Sequence, residues 1–475
     1  MGRAFGKRTR VKPVSNYERM PKVKREYTED DPLNSPAFDS LRQYLLKHRS
    51  ESVVDGEFEE HENELRRLIS ACETELLCED LSRYDVDEKY ITVDGVRCRR
   101  ALRAAQNYTG QSGSLRVERS LYQPVGGGKT VCPLELRAGI VEGAWTPKAA
   151  RIMAVMVTEV APSQAAEIIG EFGGMTPSAS SLDRLPKLLS ERWEDHRVEW
   201  EEELRSDESI PVDAVVVAVS LDGVHVPLKK KELEGEAKNG SGYREASCGT
   251  ISYFDKEGNR LSTKRFARMP ETKKRTLKSE LEAEFQWAVS QRPDLTVVKI
   301  ADGAPDNWEF LSDLGEGGIE ILDFYHAATH LKTAADAVHG AETVEARALF
   351  EFWKTTLKED PQGAEKVLRA LRYRRDGATG KERKTLTTEL GYFRSMLSGM
   401  EYLAYADAHL PIGSGIVEAA CKTLVTQRLK RSGMRWSLRG GQAILTLRAL
   451  SQSERFDRAW RILGDSYVAD VREAA

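Results

Sequence analysis

Three carboxylates, Asp222, Asp302 and Glu418, occupy positions from which a chain can hold divalent cations. Asp222 follows Val212–Leu221, a run nearly continuous in Val and Ala, within Ser220-Leu-Asp-Gly. Asp302 follows a second apolar run, 296–301, within Ala301-Asp-Gly-Ala. Two carboxylates at the ends of neighbouring strands repel each other unless they share a cation, and all-oxygen donors suit Mg²⁺ or Mn²⁺. Glu418 lies one turn inside a helix that opens at Gly413-Ser414-Gly415 and supplies a third donor. Two ions held about 4 Å apart by such a set activate an attacking oxygen and stabilise a leaving one in an in-line displacement at phosphorus. The glycine after each aspartate is expected to let a phosphodiester backbone approach closely. One Asp-Gly after a strand is an ordinary turn; two, at the ends of the two appropriate strands, favour the chemical reading.

Other residues fit a nucleic-acid substrate. In Asp323-Phe-Tyr-His326, His326 is either a contact to the scissile phosphate or a half-buried imidazole behind a capping Asp323, with His330 one turn later. Ala327 stands where an H-E-x-x-H motif needs glutamate, so zinc hydrolysis is not expected. Arg428, Lys430, Arg431 and Arg435 follow Glu418 in a stretch without acid, and are expected along a phosphate backbone. Trp436 and Trp308 are candidates for base stacking; core packing is the alternative for each, evenly balanced for Trp436 and favoured for Trp308. Nine basic residues, including Lys7, Arg8 and Arg10, stand against one acid up to Arg25.

The elements that must position these groups divide the chain. Residues 1–35 read as a disordered basic arm, 36–89 as an acidic helical segment and 90–145 as a small β-rich unit. Residues 146–206 read as helix, helix, Gly-containing turn and helix, the outline of a helix-turn-helix with Arg184 near its reading end, or of any three-helix packing unit. Residues 207–326 alternate as β-β-β-α-β-α-β, the order of a ribonuclease-H-like mixed sheet. A helical insertion over 327–410 and a last part, 411–465, complete an α/β multidomain chain. Helices are expected over 343–358, 363–375 and 380–405, and the first strand is expected to stop at Asp222.

The composition is compatible with this. In 475 residues the formal net charge is −4, but basic residues are local, and counterion release depends on the contact face rather than the total. The six cysteines include no C-x-x-C pair, so neither a zinc site nor a disulfide framework is expected. No apolar run approaches the ~20 residues of a membrane helix, and the polar N-terminus lacks a signal-peptide core, which points to an intracellular location.

The stretches Pro411-Ile-Gly-Ser-Gly-Ile-Val-Glu-Ala-Ala-Cys-Lys and Gln427-Arg-Leu-Lys-Arg-Ser-Gly-Met-Arg-Trp closely resemble the C-terminal signature of Kra-type bacterial insertion-sequence transposases. With Ser220-Leu-Asp-Gly and Ala301-Asp-Gly-Ala they match that family's acidic-triad pattern. Asp323-x-x-His326 is similar to a motif of the wider Mutator-like transposases, which also carry a helical insertion before the last acid. The resemblance spans about residues 90–465. It implies a ribonuclease-H-like catalytic domain with Asp222, Asp302 and Glu418 as catalytic metal ligands for Mg²⁺, or Mn²⁺ in its place. It further implies double-stranded DNA partners (terminal inverted repeats and target DNA), assembly as at least a dimer, and residence at the bacterial nucleoid. The sequence departs from some relatives in having Cys98 and Cys132 unpaired. A domesticated DNA-binding protein with this fold, or a structure-specific nuclease, are the alternatives.

Overall fold

The computed structural model describes residues 34–50, 58–233 and 242–473. Lys7, Arg8 and Arg10 lie outside the described residues. The chain is a mixed α/β protein with two sheets and many helices, and it divides into two compact units, 1–76 and 77–475. No described helix is long and apolar enough to cross a membrane.

In the first unit, α1 (Pro36–Ser50) and the beginning of α2 (Phe58–Ser82) are joined through aromatic contacts. His48 stacks on His61 at 3.9 Å, and Tyr44 Oη lies 2.7 Å from His61 Nδ1.

The second unit begins with a small antiparallel sheet. Strands β1 (Tyr90–Val93), β2 (Val96–Thr109) and β3 (Ser114–Pro124) form a meander over Ile91, Cys98, Leu115 and Tyr122. The turn Asp94-Gly95 takes positive φ at both positions, as a two-residue hairpin requires. The short helix α3 (Pro133–Ala138) follows.

Four helices come next: α4 (Pro147–Glu159), α5 (Pro162–Glu171), α6 (Ala179–Asp195) and α7 (Arg197–Ser206). Pro147 opens α4 behind the Thr146 cap, and Ser178 caps α6 by accepting from Ser181 N–H at 3.1 Å.

The second sheet follows the expected element order. Strands β4 (Val216–Pro227), β5 (Tyr243–Phe254) and β6 (Arg260–Arg268) form an antiparallel meander. Helix α8 (Arg275–Gln291), strand β7 (Thr296–Ala301), helix α9 (Pro305–Asp313) and strand β8 (Ile319–Leu322) continue it, with β7 parallel to both β4 and β8. The strand order is β6-β5-β4-β7-β8. Val217, Val219 and Leu221 point into one apolar layer and Val216 and Ala218 into another, so β4 is covered on both faces and reads as an unbroken apolar run.

The helical block comprises α10 (Phe324–His339), α11 (Val344–Glu359), α12 (Gly363–Gly377), α13 (Gly380–Ser395) and α14 (Tyr402–Asp407). The single helix expected over 380–405 is thus two. Between them Gly399 passes so close to β8 that an added Cβ would lie 3.0 Å from Leu322 N, and the chain leaves its helical path there. Helix α15 (Gly415–Ala420) widens into a π-type turn at Cys421–Thr426 before α16 (Gln427–Leu429). Helices α17 (Leu438–Gln452) and α18 (Phe456–Asp465) follow, and α17 packs on α6, α4 and β6. Strand β9 (Val471–Glu473) then closes the first sheet beside β1.

Buried charge ties α7, α8 and α18 to the sheet. Arg268 pairs with Glu280 and, at 2.7 Å, with Glu194. Beside them, burial and then the charge of Glu280 push Glu201 up to about 8. A carboxyl raised in the fold adds stability that is complete below its ordinary value of 4.5 and is lost as pH rises through about 8. Glu201→Gln does not ionise, so its melting temperature is expected to gain on wild type steadily from weakly acid to alkaline buffer. A pH-independent difference would refute this.

Candidate active site

The parallel register of β4 and β7 ends at Ser220↔Ile300. Carried two residues past that last pair, the same register would set Asp222 level with Asp302. Contrary to expectation, β4 does not stop at Asp222. It continues to Pro227 paired with β5 alone, and Asp222 faces Cys248 in that register. On its other side the pairing with β7 ends at Ser220, and Asp222 is half-buried there. Asp222 Oδ1 accepts from Gly223 N–H at 2.6 Å, and the Cys421 thiol donates to Oδ2 at 3.8 Å. Burial, joined by repulsion from Asp302 and Glu418, holds the Asp222 carboxyl above the usual carboxylate range. The three acids therefore share one electrostatic field.

Asp302 is held from α9. Its Oδ1 accepts from Ala304 N–H at 3.2 Å and from Asn307 Nδ2 at 3.1 Å, and its carbonyl accepts from Trp308 Nε1 at 2.6 Å. Trp308 is buried, so it anchors Asp302 instead of stacking on a base. Asn307 Oδ1 accepts in turn from Lys274 Nζ at 3.0 Å, and the same ammonium pairs with Glu245 at 3.0 Å. Lys273 and Lys274 both have left-handed backbones, with φ of 56° and 52°. Such non-glycine positions cost roughly 1–3 kcal/mol each and persist where the surroundings over-determine them. Sequence reasoning did not single out Lys274 or Asn307; the only signal was that Asn307 and Trp308 lie in the first turn of the helix after Asp302.

The third acid is positioned by Asp323. This fully buried carboxylate accepts from His326 N–H with Oδ1, capping α10, and from Ser414 N–H with Oδ2. One side chain thus joins the end of β8 to the start of the Glu418 helix. Gly413 lies under the Tyr325 ring, where a Cβ would come within 2.9 Å. Ser414 Oγ then donates to Glu418 Oε1 at 3.2 Å, while the rest of Glu418 is exposed. Asp323→Ala leaves two N–H groups unpaired and frees the Glu418 helix. A loss of about 1–3 kcal/mol of stability is expected from the unpaired donors. An unchanged unfolding free energy in Asp323→Ala would show that this tie does not matter.

His326 is half-buried and connected to the helical block. Its Nε2 lies 3.2 Å from His330 Nε2, and His330 Nδ1 donates to Glu389 Oε2 on α13 at 2.6 Å. Tyr392, also on α13, stacks on His330 at 3.7 Å. The Tyr392 ring rests against Gly303, where a Cβ would strike it, and a Cβ on Gly223 would strike Glu245. Gly303 is therefore required by the Tyr392 ring, whereas at Gly223 the flexible end of Glu245 can give way.

The basic residues after Glu418 separate by exposure. Lys430, Arg431 and Arg435 are on the surface, although Arg431 also donates to the Glu159 carbonyl at 2.7 Å. Arg428 does not reach the surface. It is buried, donates to the Val157 carbonyl at 3.1 and 3.2 Å, and lies over the Trp436 ring at 5.1 Å. The expectation that Arg428 meets a phosphate backbone is corrected on that ground. Trp436 is half-buried and donates to the Leu429 carbonyl at 2.9 Å. Arg184 is exposed with its guanidinium over Trp145 at 5.0 Å.

Among the described residues none of the three acids has an ion-pair partner, and their all-oxygen donor set is of the type that fits a hard divalent cation. Among the described residues no three His, Cys, Asp or Glu side chains are drawn together into a ready coordination shell. The match is one of donor type and charge, with exposed Glu418 the least constrained donor.

No family model matches the chain, and no curated protein matches it. Among solved structures it is similar to the Drosophila P element transposase strand transfer complex, at 10% sequence identity over 67% of this chain and 81% of that chain, with a TM-score of 0.24. Similarity at that level is too low to carry fold or function from one protein to the other.

Proposed function

We propose that this chain is a DNA transposase with a ribonuclease-H-like catalytic core, built on Asp222, Asp302 and Glu418. The observation that supports the reading is that Asp222, which follows the paired stretch of β4 and β7, feels the charge of both Asp302 and Glu418, three carboxylates on separate elements without ion-pair partners among the described residues. Mg²⁺, or Mn²⁺ in its place, held by these acids would supply the activation of the attacking oxygen and the stabilisation of the leaving oxygen. Asp222 and Asp302 are the ligands fixed by the sheet, with Asn307 and Trp308 orienting Asp302. Asp323 orients the helix that brings Glu418. His326 contacts the DNA end, and Lys430, Arg431, Arg435 and Trp436 flank its path. The partners are the element's terminal inverted repeats and a target duplex, engaged by at least a dimer.

The test is to incubate purified protein and Mg²⁺ with a labelled duplex carrying the element's end and a supercoiled plasmid. Metal-dependent transfer of label to plasmid supports the proposal. Cutting without joining would make the protein a nuclease, and end binding without cutting a domesticated binder.

A further inference from the structure

The helical block carries a charge concentration that the active site does not use. From Lys366 to Lys384, across the α12–α13 hairpin, eight basic residues stand against two acids, in a chain whose net charge is −4. Packing divides these helices cleanly. Val367, Leu368, Leu371, Leu386, Leu390 and Phe393 are buried in the core shared with β7, β8 and α10. That leaves Arg369, Arg372, Lys381, Arg383 and Lys384 exposed on the outer side. Two neighbours spend their charge locally, Lys366 on Asp360 and Arg375 on Asp376. Among the described residues, none of the five exposed cations has a carboxylate partner.

We propose that this hairpin face binds the phosphate backbone of duplex DNA, without reading sequence, as a second contact to the substrate cut at the carboxylates. The proposal rests on the strand-transfer reading above and extends it to the helical block. Charge complementarity selects the occupant. Unpaired guanidinium and ammonium groups in an acid-poor patch fit a regular array of phosphates, and arginine meets phosphate bidentately. The geometry connects the patch to the chemistry. Lys384 and Tyr392 lie on the same helix, eight residues or about 12 Å apart along its axis. The Tyr392 ring rests against Gly303, directly after Asp302. A duplex entering the site would therefore pass the basic face within a few base steps, each about 3.4 Å, of the cut.

The experiment compares wild type with Arg369→Gln, Arg372→Gln, Arg383→Gln and Lys384→Gln combined. Both full chains are titrated with an unrelated duplex in metal-free buffer across a salt series. All four side chains are exposed, so an unchanged melting temperature is expected and confirms the fold. The dependence of log affinity on log salt should become shallower by about 3 to 4, close to one unit per lost phosphate contact. An unchanged slope would overturn the proposal, whether or not wild type joins DNA ends. Unchanged DNA binding with lost self-association would overturn it too, and assign the face to a second copy of the chain. A shallower slope in a protein that joins no ends would support the surface while refuting the strand-transfer reading.

Discussion

Asp222→Asn is expected to abolish metal-dependent cleavage and joining while leaving duplex binding nearly intact. The change removes one charged ligand and preserves the shape of the side chain. Metal stabilisation of a phosphoryl-transfer transition state amounts to several kcal/mol, which converts to a loss of ~10³-fold or more. The same substitution should also reveal the electrostatic cost of the site. Burial and the neighbouring acids raise the Asp222 carboxyl, so its contribution to stability is present below the ordinary carboxylate range and lost as pH rises. At neutral pH, without metal, Asp222→Asn should therefore melt at or above the wild-type temperature. Adding Mn²⁺ should raise the melting temperature of wild type more than that of the variant, because a ligand stabilises the state that binds it. A folded variant that still cuts, or one that has lost duplex binding, would refute the assignment of Asp222.

Arg455→Met carries the largest expected effect on stability. Arg455 lies before α18 and is almost fully buried between two carboxylates. It donates to Glu208 at 2.6 and 3.0 Å and to Glu284 at 2.6 Å. Burial alone would raise Glu208, but hydrogen bonding and charge from Arg455, with Lys264, hold it down at about 2. That pairing adds stability present above the ordinary value of 4.5 and lost as pH falls towards about 2. Glu284 is completely buried, and its second oxygen has only Arg205 nearby, at 3.9 Å. Removing the shared cation strands Glu284, while Glu208 keeps Lys264 and Arg458, and a stranded buried carboxylate costs about 3–5 kcal/mol. Denaturant unfolding followed by circular dichroism checks this, with Arg455→Met/Glu284→Met as a second variant. If the cost is stranded charge, the double variant recovers much of the loss; a single-variant loss near zero would mean that the network does not hold these elements.

The sheet, and the places of Asp222, Asp302 and Glu418 along its elements, were legible because each rests on a local signal. Strand β4 is apolar throughout since both faces are covered, and the meander is marked by turns such as Asp255 to Asn259. The helix carrying Glu418 announces itself through Gly413-Ser414-Gly415. What sequence did not reveal depends on partners far away in the chain. The end of β4 is set by β5, which continues pairing past the point where β7 leaves. Strand β9 completes a sheet begun some 380 positions earlier, and three residues carry no periodicity of their own. Gly303 looked open to substrate, whereas the Tyr392 ring, from a helix some 90 residues further on, rests against it. Arg428 looked like its exposed neighbours, and only the packing of the π-type turn against α4 turns it inward.

The central claim is that Asp222, Asp302 and Glu418 together bind the divalent cation used for strand transfer. It is tested most directly by titrating Mn²⁺ calorimetrically into the full chain bound to an end duplex, beside the combined Asp222→Asn/Asp302→Asn/Glu418→Gln variant. Saturable binding by wild type that disappears in the variant, with duplex affinity retained, is the expected result. Equal Mn²⁺ binding by the two proteins would contradict it.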